Sequence, residues 1–184
     1  MKDGAPGPDG RKLKNVKALP PDQLAAHFNL WLLAGYLPSA LRQGETVLLP
    51  KEGVGAPEKF CPITISDIVV RCFHRILAQR MEVNLLFSSR QKAFRMGDGI
   101  ADLVWFIQGI IRQHQDDLRP LNITFVDVKK AFDSVSHQSI LAVAARLGVP
   151  PPFLGSLREL YSDVPTVLRI GPEHSGSIRL GKGV

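Results

Sequence analysis

The sequence predicts an α+β fold in which helices flank a small, mostly antiparallel sheet. Apolar residues recur with helical period in several stretches, short β-branched runs separate them, and two alternating runs near residue 170 predict a hairpin. The 184 residues are 45% hydrophobic, which is enough for a sizeable core in one compact domain or at most two small ones. No apolar stretch reaches the roughly 18 residues that a membrane-spanning helix needs, and no signal peptide is evident. We therefore expect a soluble intracellular protein.

The first half of the chain begins with an arm and continues with a helix and a strand. Residues 1–20 are rich in Gly, Pro and Lys and predict an arm or loop. A helix begins at Pro21 and ends at Gly35, and its apolar stripe consists of Leu24, Phe28, Trp31 and Leu32. Residues 46–49 are short, apolar and bounded by Pro50, which predicts a strand.

Two further helices and a second strand follow. Ser66 and Asp67 are N-cap candidates for a helix whose inward-facing residues are Val69, Cys72, Phe73, Ile76, Leu77 and Met81. The next amphipathic helix carries its apolar side chains at Ile100, Leu103, Val104, Ile107 and Ile111. The β-branched and aromatic content of residues 121–128 predicts a strand with Asp127 near its end.

The last part of the chain predicts two helices and a hairpin. Ser136 caps a helix that Gly148 and Pro150 end, and a short helix covers residues 152–161. Residues 166–170 and 177–180 alternate apolar and polar side chains around a glycine-containing turn, as the two strands of a hairpin do.

The positive charge of the chain is concentrated in one segment. Lys and Arg number 23 against 17 Asp and Glu, a net charge of +6. Residues 71–95 contain a single acid, Glu82, among the basic residues Arg71, Arg75, Arg80, Arg90, Lys92 and Arg95. Clustered cations suit a polyanion, because phosphate contacts release counterions. A solvated basic face is an equal alternative, so charge alone does not decide the function.

The segment FVDVKKAFDSVSH, residues 125–137, holds the candidate for chemistry. A carboxylate at the end of a buried strand is costly unless it is paired or holds a cation, which makes Asp127 a metal-ligand candidate. A helix cap or a surface carboxylate is the alternative for an isolated aspartate. We interpret Asp133 and His137 as turn and cap residues.

The arrangement of Asp127, then Ala131 and Phe132, then a capped helix resembles the first catalytic aspartate of reverse transcriptases, in their non-LTR (LINE-type) retrotransposon branch. Other blocks resemble that branch in the same order: GPDG at 7–10, GYLPSALRQGETVLLPKEG at 35–53, FCPITISDIVVRCFHRILAQRM at 60–81, RQKAFRMGDGIADLVWFIQGII at 90–111 and GKGV at 181–184. The sequences of these blocks are most similar to those of elements that insert into ribosomal RNA genes. The resemblance implies right-hand polymerase fingers and the first part of a palm, with an arm at 1–20, fingers at 21–120 and partial palm at 121–184.

The resemblance also implies an activity and its site residues. The intact protein would be an RNA-directed DNA polymerase that adds dNTPs to a DNA primer on an RNA template, with two Mg²⁺ ions, or Mn²⁺ in their place. Asp127 and the carbonyl of Val128 would bind metal, and Lys51, Ala131 and Phe132 would contact the nucleotide, with Phe132 discriminating the ribose. Template and primer would lie on Arg71, Arg75, Arg90, Lys92 and Arg95. The location would be nuclear, no membrane partner is implied, and the oligomeric state stays open.

Three departures from the family pattern bear on activity. Cys61 precedes Pro62 where the family has an arginine that forks onto the triphosphate, and Ala93 replaces a usual glycine. The Tyr-X-Asp-Asp motif, which carries the family's other essential acids, does not occur in the sequence. We therefore expect the chain alone to be inactive although its parent is a polymerase. The alternatives are a non-catalytic nucleic-acid-binding remnant or domesticated derivative, and a group II intron or bacterial relative, which the FVDV and GPDG wording disfavours.

Overall fold

The computed structural model describes residues 4–50, 60–162, 165–171, 173–179 and 181–183. Its helices are α1 (Leu13–Lys17), α2 (Pro21–Ala34), α3 (Ile68–Asn84), α4 (Gly99–Asp116), α5 (Ala131–Ser134), α6 (His137–Arg146) and α7 (Pro151–Tyr161). The strands are β1 (Gly44–Pro50), β2 (Phe60–Ile65), β3 (Pro165–Ile170) and β4 (Glu173–Arg179). No helix in these ranges is both long enough and apolar enough to cross a membrane.

The strands form one sheet in the order β2-β1-β3-β4. β1 pairs antiparallel with β2 and parallel with β3, and β3 pairs antiparallel with β4. The predicted mostly antiparallel sheet and α+β class are therefore confirmed. Sequence reasoning did not predict β2, whose Pro62 lacks a backbone donor and is tolerated because the strand lies at the sheet edge. The sheet takes strands from both sides of residue 120, and the division of the chain there stays a prediction.

The main core lies where α2 meets α3. It consists of Phe28, Trp31, Leu37, Val70, Phe73 and Leu77. The rings of Phe28 and Phe73 lie 5.3 Å apart between centroids, and Trp31 meets Phe73 edge-on at 5.6 Å. Both predicted ends of α2 are confirmed: Pro21 is its first residue, and Gly35 takes the left-handed conformation at φ 59°.

Helix α3 begins after Asp67, as the sequence predicts, but this carboxylate does not cap the helix. Its Oδ1 accepts the backbone N–H of Asp9 at 3.1 Å and so ties the N-terminal arm to α3. Burial raises the pKa of the Asp67 carboxyl. The expectation that Ile76 faces inward was wrong, because its side chain is 37% exposed while its neighbour Leu77 is buried.

The predicted strand at residues 121–128 was also wrong. This segment has no strand pairing within the described ranges, and Phe125 and Val126 are 80% and 85% exposed. A β-branched run fits a pleated surface only when a neighbouring strand supplies hydrogen bonds, so composition alone does not make a strand. The predicted helix α4 is present, yet none of its residues is buried, and Trp105 is 71% exposed.

Candidate functional site

Asp127 and Val128 lie directly before a compact turn. Both are exposed. Lys130 adopts the left-handed conformation, with φ 50° and ψ 44°, and α5 follows immediately. The N–H of Ser134 donates to the carbonyl of Lys130 at 3.0 Å, and the Ser134 hydroxyl donates to the carbonyl of Ala131 at 3.1 Å. These bonds give the backbone that presents Ala131 and Phe132 a defined conformation.

Phe132 is 57% exposed, and its ring contacts the ring of Phe94. The centroids are 6.0 Å apart and the planes are nearly perpendicular, at 81°, a favourable edge-to-face geometry. Phe94 carries a positive φ of 58°, which is unusual for a bulky residue. The structure thus brings together two separate blocks of the resemblance, 90–111 and 125–137. Ala93, which replaces a usual glycine of the family, does not adopt a positive φ.

Residues 181–183 lie against the same turn. The N–H of Gly183 donates to the carbonyl of Val135 at 3.0 Å, and Ser136 and Lys182 form a short antiparallel bridge. His137, interpreted from the sequence as a cap residue, contacts the carbonyl of Gly183 through Nε2 at 2.9 Å. Sequence reasoning missed this contact because its partners are 46 residues apart. The helix cap itself is the Ser136 hydroxyl, as predicted, which accepts the N–H of Ser139 at 3.0 Å.

A wide cleft separates the sheet from helices α6 and α7. Its volume is about 1370 Å³. Thr46, Thr64 and Thr166 line it from the sheet, and Lys130, Asp133, His137 and Tyr161 line it from the opposite side. Burial raises the pKa of the Tyr161 hydroxyl. Two residues that follow Asp127, Lys130 and Asp133, therefore line the cleft opposite the sheet.

Cys61 lies on the other face of the sheet from this cleft. It pairs across β1 with Leu49, whereas the next residue, Pro62, pairs with Leu48 and lines the cleft. Successive residues of a strand face opposite sides, which places Cys61 with Leu49 and Ile63, both substantially exposed. Lys51, the predicted triphosphate contact, lies outside the described residues.

The five predicted nucleic-acid-binding residues differ in their surroundings. Arg71 donates to the carbonyl of Ala5 at 2.6 Å and so holds the N-terminal arm. Lys92 pairs with Asp102 at 2.9 Å. Arg95 pairs with Glu82 at 3.4 Å and covers the Phe87 ring at 4.9 Å. Arg75 and Arg90 are exposed.

The described residues do not by themselves form a metal site. Within those ranges, no group of three or more His, Cys, Asp or Glu side chains is placed to hold an ion. Asp127 thus offers one exposed carboxylate, and a two-ion site requires several converging ones.

Residues 49–180 match the reverse transcriptase (RNA-dependent DNA polymerase) family. Across 98% of its length the chain is 34% identical to the Pol polyprotein of type-1 retrotransposable element R2 from Nasonia vitripennis, and it covers 18% of that protein. It is also 34% identical to the R2DM polyprotein of Drosophila melanogaster over 85% of the chain and 15% of the relative. A probable RNA-directed DNA polymerase from transposon BS of the same fly is 26% identical over 93% of the chain and 20% of the relative. The chain spans about a fifth of the length of these relatives. The predicted resemblance is confirmed: the chain belongs to the reverse transcriptase family, as a fragment of the R2 type from the non-LTR retrotransposons.

Proposed function

We propose that this chain forms the fingers and first palm segment of an RNA-directed DNA polymerase that adds dNTPs to a DNA primer on an RNA template. The observation that carries this proposal is the turn after Asp127, which presents an exposed carboxylate and the half-exposed Phe132 ring within the matched span. Asp127 and Phe132 lie on one short segment, which keeps the metal-binding and sugar-contacting groups of the proposal near each other.

In this proposal Asp127 contributes one carboxylate, and the carbonyl of Val128 one oxygen, to a Mg²⁺ site that also accepts Mn²⁺. Divalent ions in such sites activate the attacking hydroxyl and neutralise the leaving phosphates. The Tyr-X-Asp-Asp motif does not occur in the sequence, and among the described residues no group of three or more His, Cys, Asp or Glu side chains is placed to hold an ion. The chain alone is therefore inactive, and it requires the remaining palm to complete the site.

Phe132 selects the sugar by volume. Its ring is more than half exposed, and the Phe94 ring packs against it in an edge-to-face geometry. A rigid aromatic ring under the ribose leaves no room for a 2′-hydroxyl, whereas Ala131 beside it lets the nucleotide approach the backbone. Lys51 supplies a point charge for the triphosphate. Cys61, which lacks the planar fork of an arginine, weakens triphosphate binding.

Template and primer phosphates contact the exposed Arg75 and Arg90 first. Lys92 and Arg95 also carry positive charge, but each must exchange a carboxylate partner for a phosphate. The Lys92–Asp102 pair is largely exposed, so its exchange costs little, about 1 kcal/mol or less, whereas the Arg95–Glu82 pair is more buried. Arg71 contributes by holding the arm. We place the intact protein in the nucleus, where a chromosomal DNA primer is available.

The test uses the chain and a longer polypeptide that adds the rest of the palm from an R2 relative. The 184-residue chain should bind RNA with an affinity that falls steeply with salt, and it should not extend a primer with Mg²⁺. The longer polypeptide should extend the primer, and Asp127→Ala should abolish this extension. Asp117→Ala, which removes another exposed carboxylate, is the matched control.

Three results would contradict the proposal. Extension by the chain alone would show that the site is complete without the missing acids. Retained activity in Asp127→Ala would remove the metal role. RNA binding without any extension by the longer polypeptide would favour the non-catalytic derivative instead.

A further inference from the structure

The segment at 181–183 packs beside the candidate site. Gly183 has a φ of 94°. A Cβ atom at this position would lie 3.5 Å from the Cα of Asp133 and 3.6 Å from the carbonyl oxygen of Phe132. A side chain at residue 183 would thus be in van der Waals contact with this backbone, and the positive φ favours glycine. The backbone that carries the Phe132 ring has Gly183 against one side.

His137 is the side chain that holds Gly183 in place. Because a carbonyl can only accept, Nε2 must carry the hydrogen in the 2.9 Å contact with Gly183. The imidazole is also stacked on the Tyr161 ring, with centroids 4.7 Å apart and planes inclined by 28°. Tyr161 is the last residue of α7. The ring is thus fixed by a stacking partner on one side and a hydrogen bond at its tip.

The same segment is also attached to the turn through the backbone. Gly183 donates to Val135, and Lys182 bridges to Ser136. Val135 and Ser136 directly precede His137, so three consecutive residues bind the two residues 182 and 183. Ser136 already caps α6. The contact of His137 with Gly183 is therefore not part of the helix cap.

We propose that His137 is a positioning residue for sugar selection: it holds Gly183 against the backbone of Phe132 and Asp133 and thereby fixes the Phe132 ring. Phe94 limits the ring at its edge, and the Gly183 contact limits the backbone beneath it. This inference rests on the proposed role of Phe132 in sugar selection. His137 contacts neither substrate nor metal in the proposal.

The first experiment concerns the 184-residue chain and needs no activity. The amide of Gly183 reports the contact through hydrogen exchange followed by NMR. His137→Gln can keep a donor at the position of Nε2, whereas His137→Asn is too short to reach the carbonyl. We expect the Gly183 amide to exchange within about twofold of wild type in the Gln variant and at least about fivefold faster in the Asn variant. Circular dichroism checks that both variants fold. Equal exchange in wild type and the Asn variant would overturn the proposal.

The second experiment uses the longer polypeptide and measures the ratio of kcat/KM for a dNTP to that for the matching rNTP. Small displacements near a reacting centre have large kinetic effects. We expect His137→Asn to lower this ratio by about tenfold, His137→Gln to restore it, and Phe132→Val to lower it further. An unchanged ratio in His137→Asn, with the ratio lowered in Phe132→Val, would refute the positioning role alone. An unchanged ratio in Phe132→Val would refute the sugar role of Phe132, and the positioning function with it, whatever the exchange data show.

Discussion

Three threonine hydroxyls are linked by hydrogen bonds across the sheet. Which hydroxyl donates in each bond follows from one carbonyl acceptor. Thr166 on β3 contacts the carbonyl of Gly44 at 3.1 Å, so it must donate its proton there. Its oxygen is then the acceptor for Thr46 at 2.6 Å, and the oxygen of Thr46 accepts from Thr64 at 2.8 Å. Thr46 and Thr166 are 3% and 2% exposed, whereas Thr64 is exposed. The chain of hydroxyls therefore connects β2, β1 and β3.

Replacement of each threonine by valine keeps the shape and removes the hydroxyl. Thr46→Val and Thr166→Val each lose two hydrogen bonds, whereas Thr64→Val loses only the bond that its exposed hydroxyl donates to Thr46. At about 1 kcal/mol for each bond, less about 0.8 kcal/mol for the added buried methyl, each of the first two substitutions should cost about 1 kcal/mol. Thr64→Val should cost a few tenths. The double variant Thr46→Val with Thr166→Val loses three bonds, not four, so its cost should fall short of the sum by about 1 kcal/mol.

Urea denaturation of the 184-residue chain, followed by circular dichroism, measures these free energies of unfolding. Thr124→Val, which changes an exposed threonine outside the sheet, is the control and should stay within about 0.5 kcal/mol of wild type. If the double variant were additive, the hydroxyls would not share a bond. A larger cost for Thr64→Val than for Thr46→Val would refute the order of donors and acceptors.

Other predictions concern the core, the response to pH and the nucleotide site. Phe73→Ala removes a buried ring that packs against Phe28 and Trp31, and it should lower the free energy of unfolding by about 3–5 kcal/mol in the same urea experiment. Phe106→Ala, at a 66% exposed residue, should change it by less than about 0.5 kcal/mol. Burial lowers the pKa of His74, so the native state binds fewer protons than the unfolded state just below the usual value of about 6.5. Stability should therefore fall as pH drops through that value, and His74→Gln should flatten this slope in urea denaturation measured at several pH values. Cys61→Arg in the longer polypeptide should lower the KM for dNTP by about tenfold, because a forked cation replaces a thiol, and an unchanged KM would show that another residue already compensates.

Local signals in the sequence predicted most of the helices and strands. Pro21 and Gly35 bound α2 because their backbone preferences act at single residues. Ser136 caps α6 for a similarly local reason, and the hairpin β3–β4 follows from alternation around a turn. The block order likewise predicted the family, because motif spacing is a property of the chain itself.

The site was predicted only in part. The sequence pointed to Asp127 and Phe132 through a linear motif, but it could not place Phe94 beside Phe132 or Gly183 beside His137. The basic residues look alike in the sequence, yet Arg71 holds the arm and Arg95 is paired with Glu82. Which cations have acidic partners depends on side chains from other elements, and a count of charges does not contain that information.

The sequence by itself determined the family and the ends of α2, and it predicted Asp127 as a metal ligand, since each of these rests on short motifs of neighbouring residues. Only the tertiary structure decided the parallel pairing of β1 with β3, the unpaired state of residues 121–128 and the contact between His137 and Gly183. The physical reason is the same for all three. A strand or a hydrogen bond needs a partner, and whether a partner is present depends on contacts between distant parts of the chain.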